Sequence, residues 1–404
     1  MNYLQILLAL FIFVSRIKGD PRIASLFPFD LTVSFALAVY LVIAFRLRQF
    51  DWGSLPRILW LYLPFICLML FSVSYSPLPI AGIEKALRFM LLTGLAIFAP
   101  YFVLDSPTRI RNHFVTLLIL YFLVTLEPLS QMGAPIADDG DGRLMVAGGS
   151  TIELGTSAVV GVTIILYMIL PQLALGSSVF WYYFKKILAY LGIVIFFAAL
   201  IGAGARSATI SLAIIVLINL YFYPQQRMDL FIVACLVSSS LLVINIPEHS
   251  LEYLSTLIHS DANSLFNWRG HLMRLGLELI AEHPILGVGL GGFPYFGTIP
   301  PPSPWYLYNW PHNGIIEIGC EMGLLAAVIA CLLIILPFVE TFRQLADKDF
   351  QFKVYSRMTL AVMTIGVITF MNTGDINDQR PMWLYMSLPF VIRGFARKEV
   401  LAKV

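Results

Sequence analysis

Gly314–Phe338 reads GIIEIGCEMGLLAAVIACLLIILPF. Its only charges, Glu317 and Glu321, sit near its start, and the rest is apolar. About 17–25 apolar residues carry a helix across the hydrocarbon of a bilayer, so this stretch predicts a membrane span. Working outward, the pattern recurs at Tyr3–Val14, Phe29–Phe45, Ile58–Val73, Ala86–Leu104, Phe114–Glu127, Thr151–Leu173, Ile187–Ile201, Ser207–Phe222, Leu230–Ile246, Arg357–Met371 and Met382–Ile392. The reading is an all-α, polytopic membrane protein with about twelve transmembrane helices, residues 1–404 forming a single transmembrane domain. The composition agrees: 59% hydrophobic against 12% charged is too few charges to cover a soluble globule.

Charge sets an expected orientation. Arg46, Arg48, Arg57, Arg109, Arg111, Lys185, Lys186, Arg227, Arg343, Lys348, Lys353, Arg357 and the tail's Arg393, Arg397, Lys398 and Lys403 fall in one set of alternate gaps. Arg16, Lys18, Arg22, Lys85, Arg88, Arg143, Arg206, Arg269, Arg274 and Arg380 fall in the other. The richer set belongs in the cytoplasm, which puts both termini there. Met1–Val14 lacks a basic start and a small-residue cleavage site, so it reads as an uncleaved first span. The four cysteines lie in or beside spans and read as packing residues. A net charge of +2 gives no reason to expect nucleic acid as a partner.

The chemistry is expected in the outward gaps. Asp138, Asp139 and Asp141 lack the spacing and closing glutamate of a calcium loop and read as a turn. Arg206 stands among small residues in Gly202-Ala-Gly-Ala-Arg206-Ser207, at or just inside the outer face. A charge there is costly without a partner, so it marks function or a salt bridge with Glu317 or Asp375.

Residues 247–311 form one long external loop between the ninth and tenth spans. Asn267–Glu282 predicts an amphipathic helix capped by Asn267, with Leu272, Leu275 and Leu279 on one face and Arg269 on another. His283-Pro-Ile-Leu-Gly287-Val-Gly289-Leu-Gly291-Gly292-Phe293 reads either as an anion-binding nest or as a tight turn. Trp305, Tyr306, Tyr308 and Trp310 suit stacking on sugar rings. His312 and Asn313 open the tenth span, with Glu317 one turn in. One histidine without a second ligand cluster gives no metal site.

Three outward arginines and a histidine on one cavity fit a phosphate-bearing lipid. Guanidinium forks match phosphate oxygens. A prenyl-diphosphate sugar carries its own leaving group, and a neutral imidazole can take the proton of an incoming hydroxyl. No cofactor is then required.

Through most of its length, and most strongly from Arg206 to Gly323, the chain resembles the bacterial O-antigen ligase and O-antigen polymerase superfamily. The likeness rests on Gly204-Ala-Arg206-Ser207, on Arg269 opening its helix, and on Pro284 with Gly287, Gly289, Gly291 and Phe293. It also rests on His312-Asn313 with Gly323, and on the loop Gly374-Asp-Ile-Asn-Asp-Gln-Arg380. Met273 stands where the ligases carry leucine. The resemblance implies a metal-independent glycosyltransferase at the periplasmic face of the bacterial inner membrane. Its donor would be an undecaprenyl-diphosphate glycan, and its acceptor a lipid-linked repeat or lipid A-core. Membrane lipids and a chain-length regulator are further partners it implies. His312, Arg269 and Arg206 carry over as catalytic residues. Arg206, Arg269 and Arg274 would bind the diphosphate; Asn313, Trp305, Tyr306, Tyr308 and Trp310 would touch acceptor or sugar. Nothing in the external loop advertises a large lipid A-core partner, which favours polymerisation, with ligation as the alternative. A non-enzymatic flippase is the third reading, disfavoured because two similar halves are not visible.

Overall fold

A lipid environment offers no partner to a bare peptide group, so apolar segments of this chain close their own hydrogen bonds as helices. The computed structural model describes residues 3–27, 29–49, 52, 55–130, 143–147, 149–173, 178–241, 265–297 and 310–401. In chain order these form α1 (Leu4–Arg16), α2 (Pro21–Leu26), α3 (Leu31–Arg46), α4 (Arg57–Val73), α5 (Pro79–Val103) and α6 (Pro107–Ser130). There follow α7 (Thr151–Gln172), α8 (Val179–Ala203), α9 (Arg206–Phe222), α10 (Arg227–Leu241), α11 (Leu265–Glu282) and α12 (Phe293–Phe296). The chain ends with α13 (Gly314–Met322), α14 (Leu324–Ala346), α15 (Lys353–Thr373) and α16 (Arg380–Leu401).

The protein is all-α and multi-pass. Among the described residues six helices are long and apolar enough to cross a membrane: α5, α6, α7, α8, α14 and α15. Four more, α1, α3, α4 and α9, are apolar but shorter. That is fewer than the about twelve spans expected. The expected span Leu230–Ile246 runs past Leu241, outside the described residues, and α16 carries Arg393 and Arg397 among its apolar residues.

Polar contacts sort the loops to two ends. At one end Arg22 pairs with Glu127 at 2.6 Å. At the other, Arg46 meets Asp105 at 3.2 Å, Lys186 meets Asp229 at 2.7 Å, and the Arg357 guanidinium lies 4.6 Å from the centre of the Tyr223 ring. Starts are fixed by capping: Asp30 accepts from Thr32 N at 2.7 Å, and Ser150 with Glu153 forms a reciprocal capping box on α7.

Gly314–Phe338 is not one helix. It breaks at Gly323, whose φ of 85° is open to glycine. The glycine turn after α11 docks into the break. Val288 N donates to Cys320 O at 2.7 Å, Gly289 N to Glu321 O at 2.9 Å, and Leu324 N to Pro284 O at 2.9 Å. A Cβ on Gly323 would lie 2.1 Å from Ile285 O. The end of α13 thus finds its partners across the chain instead of along it. This corrects the nest reading: Gly287, Val288, Gly289, Leu290 and Gly292 all spend their amides on backbone carbonyls. It is a tight turn. Asn267 likewise does not cap α11, since the helix begins at Leu265.

Candidate functional site

The site is built where the chain enters α13. Asn313 is the N-cap: its Oδ1 accepts from Ile315 N and Ile316 N at 3.1 Å each, and its Nδ2 donates to Met371 O at 3.3 Å. At 8% exposure, with both ends of its amide spent, Asn313 holds the helix; it does not offer the acceptor contact expected of it. His312, one residue earlier, takes the left-handed φ of 53°. Such backbone is sparsely populated outside glycine and persists where surrounding packing enforces it.

That packing is visible. The Trp310 and His312 ring centres are 5.2 Å apart, and Trp310 Nε1 donates to Thr373 O at the end of α15. A Cβ on Gly374 would come within 2.6 Å of Trp310 Cδ1 and 3.3 Å of His312 Cα, so a glycine lets the two segments close. Trp310 therefore braces His312. The half-buried His312 ring lies near the Thr373 backbone.

Arg269 reaches the same corner from the external helix. α11 packs through Leu272 and Leu279 in a cluster with Val288, Phe293 and Cys320. A Cβ on Gly276 would meet Ile316 Cγ2 at 2.6 Å and Pro311 Cβ at 3.4 Å, so the helix presses against the start of α13 along that strip. Arg269 stands two turns before Gly276 on the same strip. Its charge is felt by His312. Burial first, then Arg269, push the His312 pKa down to about 4, against a smaller upward pull from the Thr373 backbone. The imidazole is neutral near pH 7. A neutral imidazole keeps one unprotonated ring nitrogen, able to accept a proton.

Arg206 is the first residue of α9, after Gly204 ends α8 in the left-handed conformation. α9 and α15 run antiparallel, because Phe222 at one end of α9 lies under Arg357 near the start of α15. A helix rises about 1.5 Å per residue, so Arg206 comes to the Thr373 end of the array. Arg274 differs. Its side chain is 80% exposed and pairs with Glu278 at 3.0 Å, on the solvent side of α11. Trp305, Tyr306, Tyr308, Asp138, Asp139 and Asp141 lie outside the described residues.

Sequence reasoning missed Lys85. Its Nζ meets Glu317 Oε1 at 2.5 Å and Glu321 Oε2 at 2.6 Å, both carboxylates 2% exposed. Its backbone carbonyl accepts from Asn377 Nδ2 at 3.1 Å. Glu317 is therefore the partner of Lys85, not the salt-bridge partner considered for Arg206. Asp375 (φ 49°) accepts from Asn377 N at 2.9 Å, in the loop that carries Gly374. Lys85 thus ties α5, α13 and the Gly374–Arg380 loop together behind His312. In sequence it had only the look of a loop charge. Among the described residues no three His, Cys, Asp or Glu side chains gather as a metal site would.

Residues 191–331 match the family model described as O-Antigen ligase. The match supports a place for the chain in the O-antigen ligase and polymerase superfamily. It covers a little over a third of the chain and contains Arg206, Arg269 and His312. It supports an enzymatic, membrane glycan-transfer activity. No curated protein matches the chain.

Proposed function

We propose that the protein transfers a glycan from undecaprenyl diphosphate to lipid A-core at the outer face of a bacterial inner membrane. The single observation that carries the reading is the pairing of a neutral, anchored His312 with the Arg269 charge, inside the O-antigen ligase match. An acceptor hydroxyl gives its proton to the unprotonated nitrogen of His312 as its oxygen attacks the anomeric carbon. The bond from that carbon to the diphosphate breaks, and the leaving diphosphate carries away the electron pair. Arg269 and Arg206 hold the growing negative charge. Ligation is preferred to the polymerisation expected from the external loop, because the matched family is described as a ligase.

Full-length protein in liposomes, given lipid-linked donor and either lipid A-core or a second lipid-linked repeat, tests the reading. Product on lipid A-core, with no second protein added, is expected. Product on the repeat alone would restore polymerisation, and donor binding without turnover would favour the flippase reading.

The two arginines of α11 give a sharper expectation. Arg269→Lys keeps the charge but loses the planar fork, and turnover should fall about a hundredfold. Arg274→Gln removes only an exposed pair within one helix, and turnover should stay within about twofold. Equal losses at both positions would mean that α11 acts through its overall charge.

A further inference from the structure

At the end of the helices opposite His312, α14 and α16 enclose a cavity of about 570 Å³. Its floor is polar but satisfied. Gln344 Nε2 donates to Glu340 Oε1 at 3.2 Å and to Pro389 O at 2.6 Å, while Gln344 Oε1 accepts from Ser356 Oγ at 2.7 Å. Glu340 is also neutralised by Arg393. The rim is different. Arg343 and Arg397 line the cavity, are exposed, and have no ion-pair partner among the described residues. Asp347 is the other acid of the lining, so three guanidiniums stand against two carboxylates.

An apolar track leads to this rim. Leu332, Ile335, Leu336, Val339 and Phe342 are exposed on α14 at three- and four-residue spacing, which puts them on one face. α14 is membrane-length and apolar, and Arg343 lies in its last turn. The face therefore runs through the hydrocarbon depth and ends at the arginines.

We propose that this cavity binds the headgroup phosphate of an anionic phospholipid, with an acyl chain along the Leu332–Phe342 face. Forked guanidiniums suit a phosphate, and a basic pocket at a helix end is where a headgroup lies. The exposed apolar face gives the chain a place that a free anion would not use. By charge distribution this is the cytoplasmic leaflet.

The test uses the full-length protein, delipidated in detergent and titrated with phosphatidylglycerol or phosphatidylcholine. Native mass spectrometry counts retained lipid. Wild-type protein should hold phosphatidylglycerol at least about tenfold more tightly than phosphatidylcholine. Arg343→Gln with Arg397→Gln should weaken phosphatidylglycerol retention about thirtyfold. Arg48→Gln with Arg57→Gln, at the same end but outside the cavity, should leave it unchanged. Equal binding of both lipids, unchanged retention in the Arg343/Arg397 variant, or displacement by millimolar inorganic phosphate would overturn the proposal; displacement would reassign the site to a free anion. If that variant fails to fold, the wild-type comparison of the two lipids and phosphate still decides.

Discussion

His312→Ala lowers glycan transfer by about 10²–10⁴-fold and leaves donor binding within a few-fold. The range is what a positioned acid–base group contributes. The asymmetry follows from timing: the imidazole acts when the acceptor hydroxyl is losing its proton, so its removal weakens the transition state more than the ground state. Turnover beside donor affinity, in liposomes, measures both. Loss of donor binding with preserved turnover per bound donor would assign His312 to the diphosphate instead. The pH dependence carries a second expectation. Protonation disables the base, and the group has a pKa near 4 in the folded protein, below the ordinary histidine value of 6.5. Activity should therefore be flat across neutral pH and fall only as pH drops toward about 4. Replacing Arg269 with glutamine removes one downward push, so the acid limb of the residual activity should move up in pH. A limb near 6.5 in the wild-type enzyme would contradict a neutral, enclosed His312.

Lys85→Met should destabilise the fold by about 3–5 kcal/mol, the cost of removing one partner from a buried ion cluster. Glu317 and Glu321 are one helical turn apart and 2% exposed, with Lys85 in salt-bridge contact with both. Without it two carboxylates face each other in a site that excludes water, and one must take up a proton. Replacing all three by neutral groups, Lys85→Met with Glu317→Gln and Glu321→Gln, should restore most of the loss, since a neutral core of similar volume avoids the desolvation cost. Apparent melting temperature in detergent reads both variants. A Lys85→Met protein that melts with the wild type would mean that water reaches the carboxylates. The single variant should also slow transfer, because Lys85 backs both α13 and the loop bearing Gly374.

Much of the helical plan was legible in the apolar stretches. Thr151–Leu173 was read almost to the residue from its long apolar run, and in the structure a capping box at Ser150–Glu153 fixes its start. Gly314–Phe338 was misread because hydropathy does not register a break that is satisfied by another segment. Gly323 differs from other span glycines only in what the chain brings against it. In the site, Arg269 and His312 were found from residue type and spacing, and the structure brings them together. Arg274 lies five residues from Arg269, and only the docking of α11 distinguishes the bound strip from the solvent side.

By itself, then, the sequence determined the all-α multi-pass class and named candidate residues for the chemistry. Those properties follow from local composition, because hydrocarbon penalises each unpaired peptide group and each charge where it stands. Tertiary structure alone decided that Lys85 neutralises Glu317 across 232 residues, that Thr373 and Gly374 hold Trp310 and His312, and that the glycine turn closes the end of α13. Each is a pairing between distant segments. A polar group in a helix announces its need for a partner, but only packing chooses which one it meets.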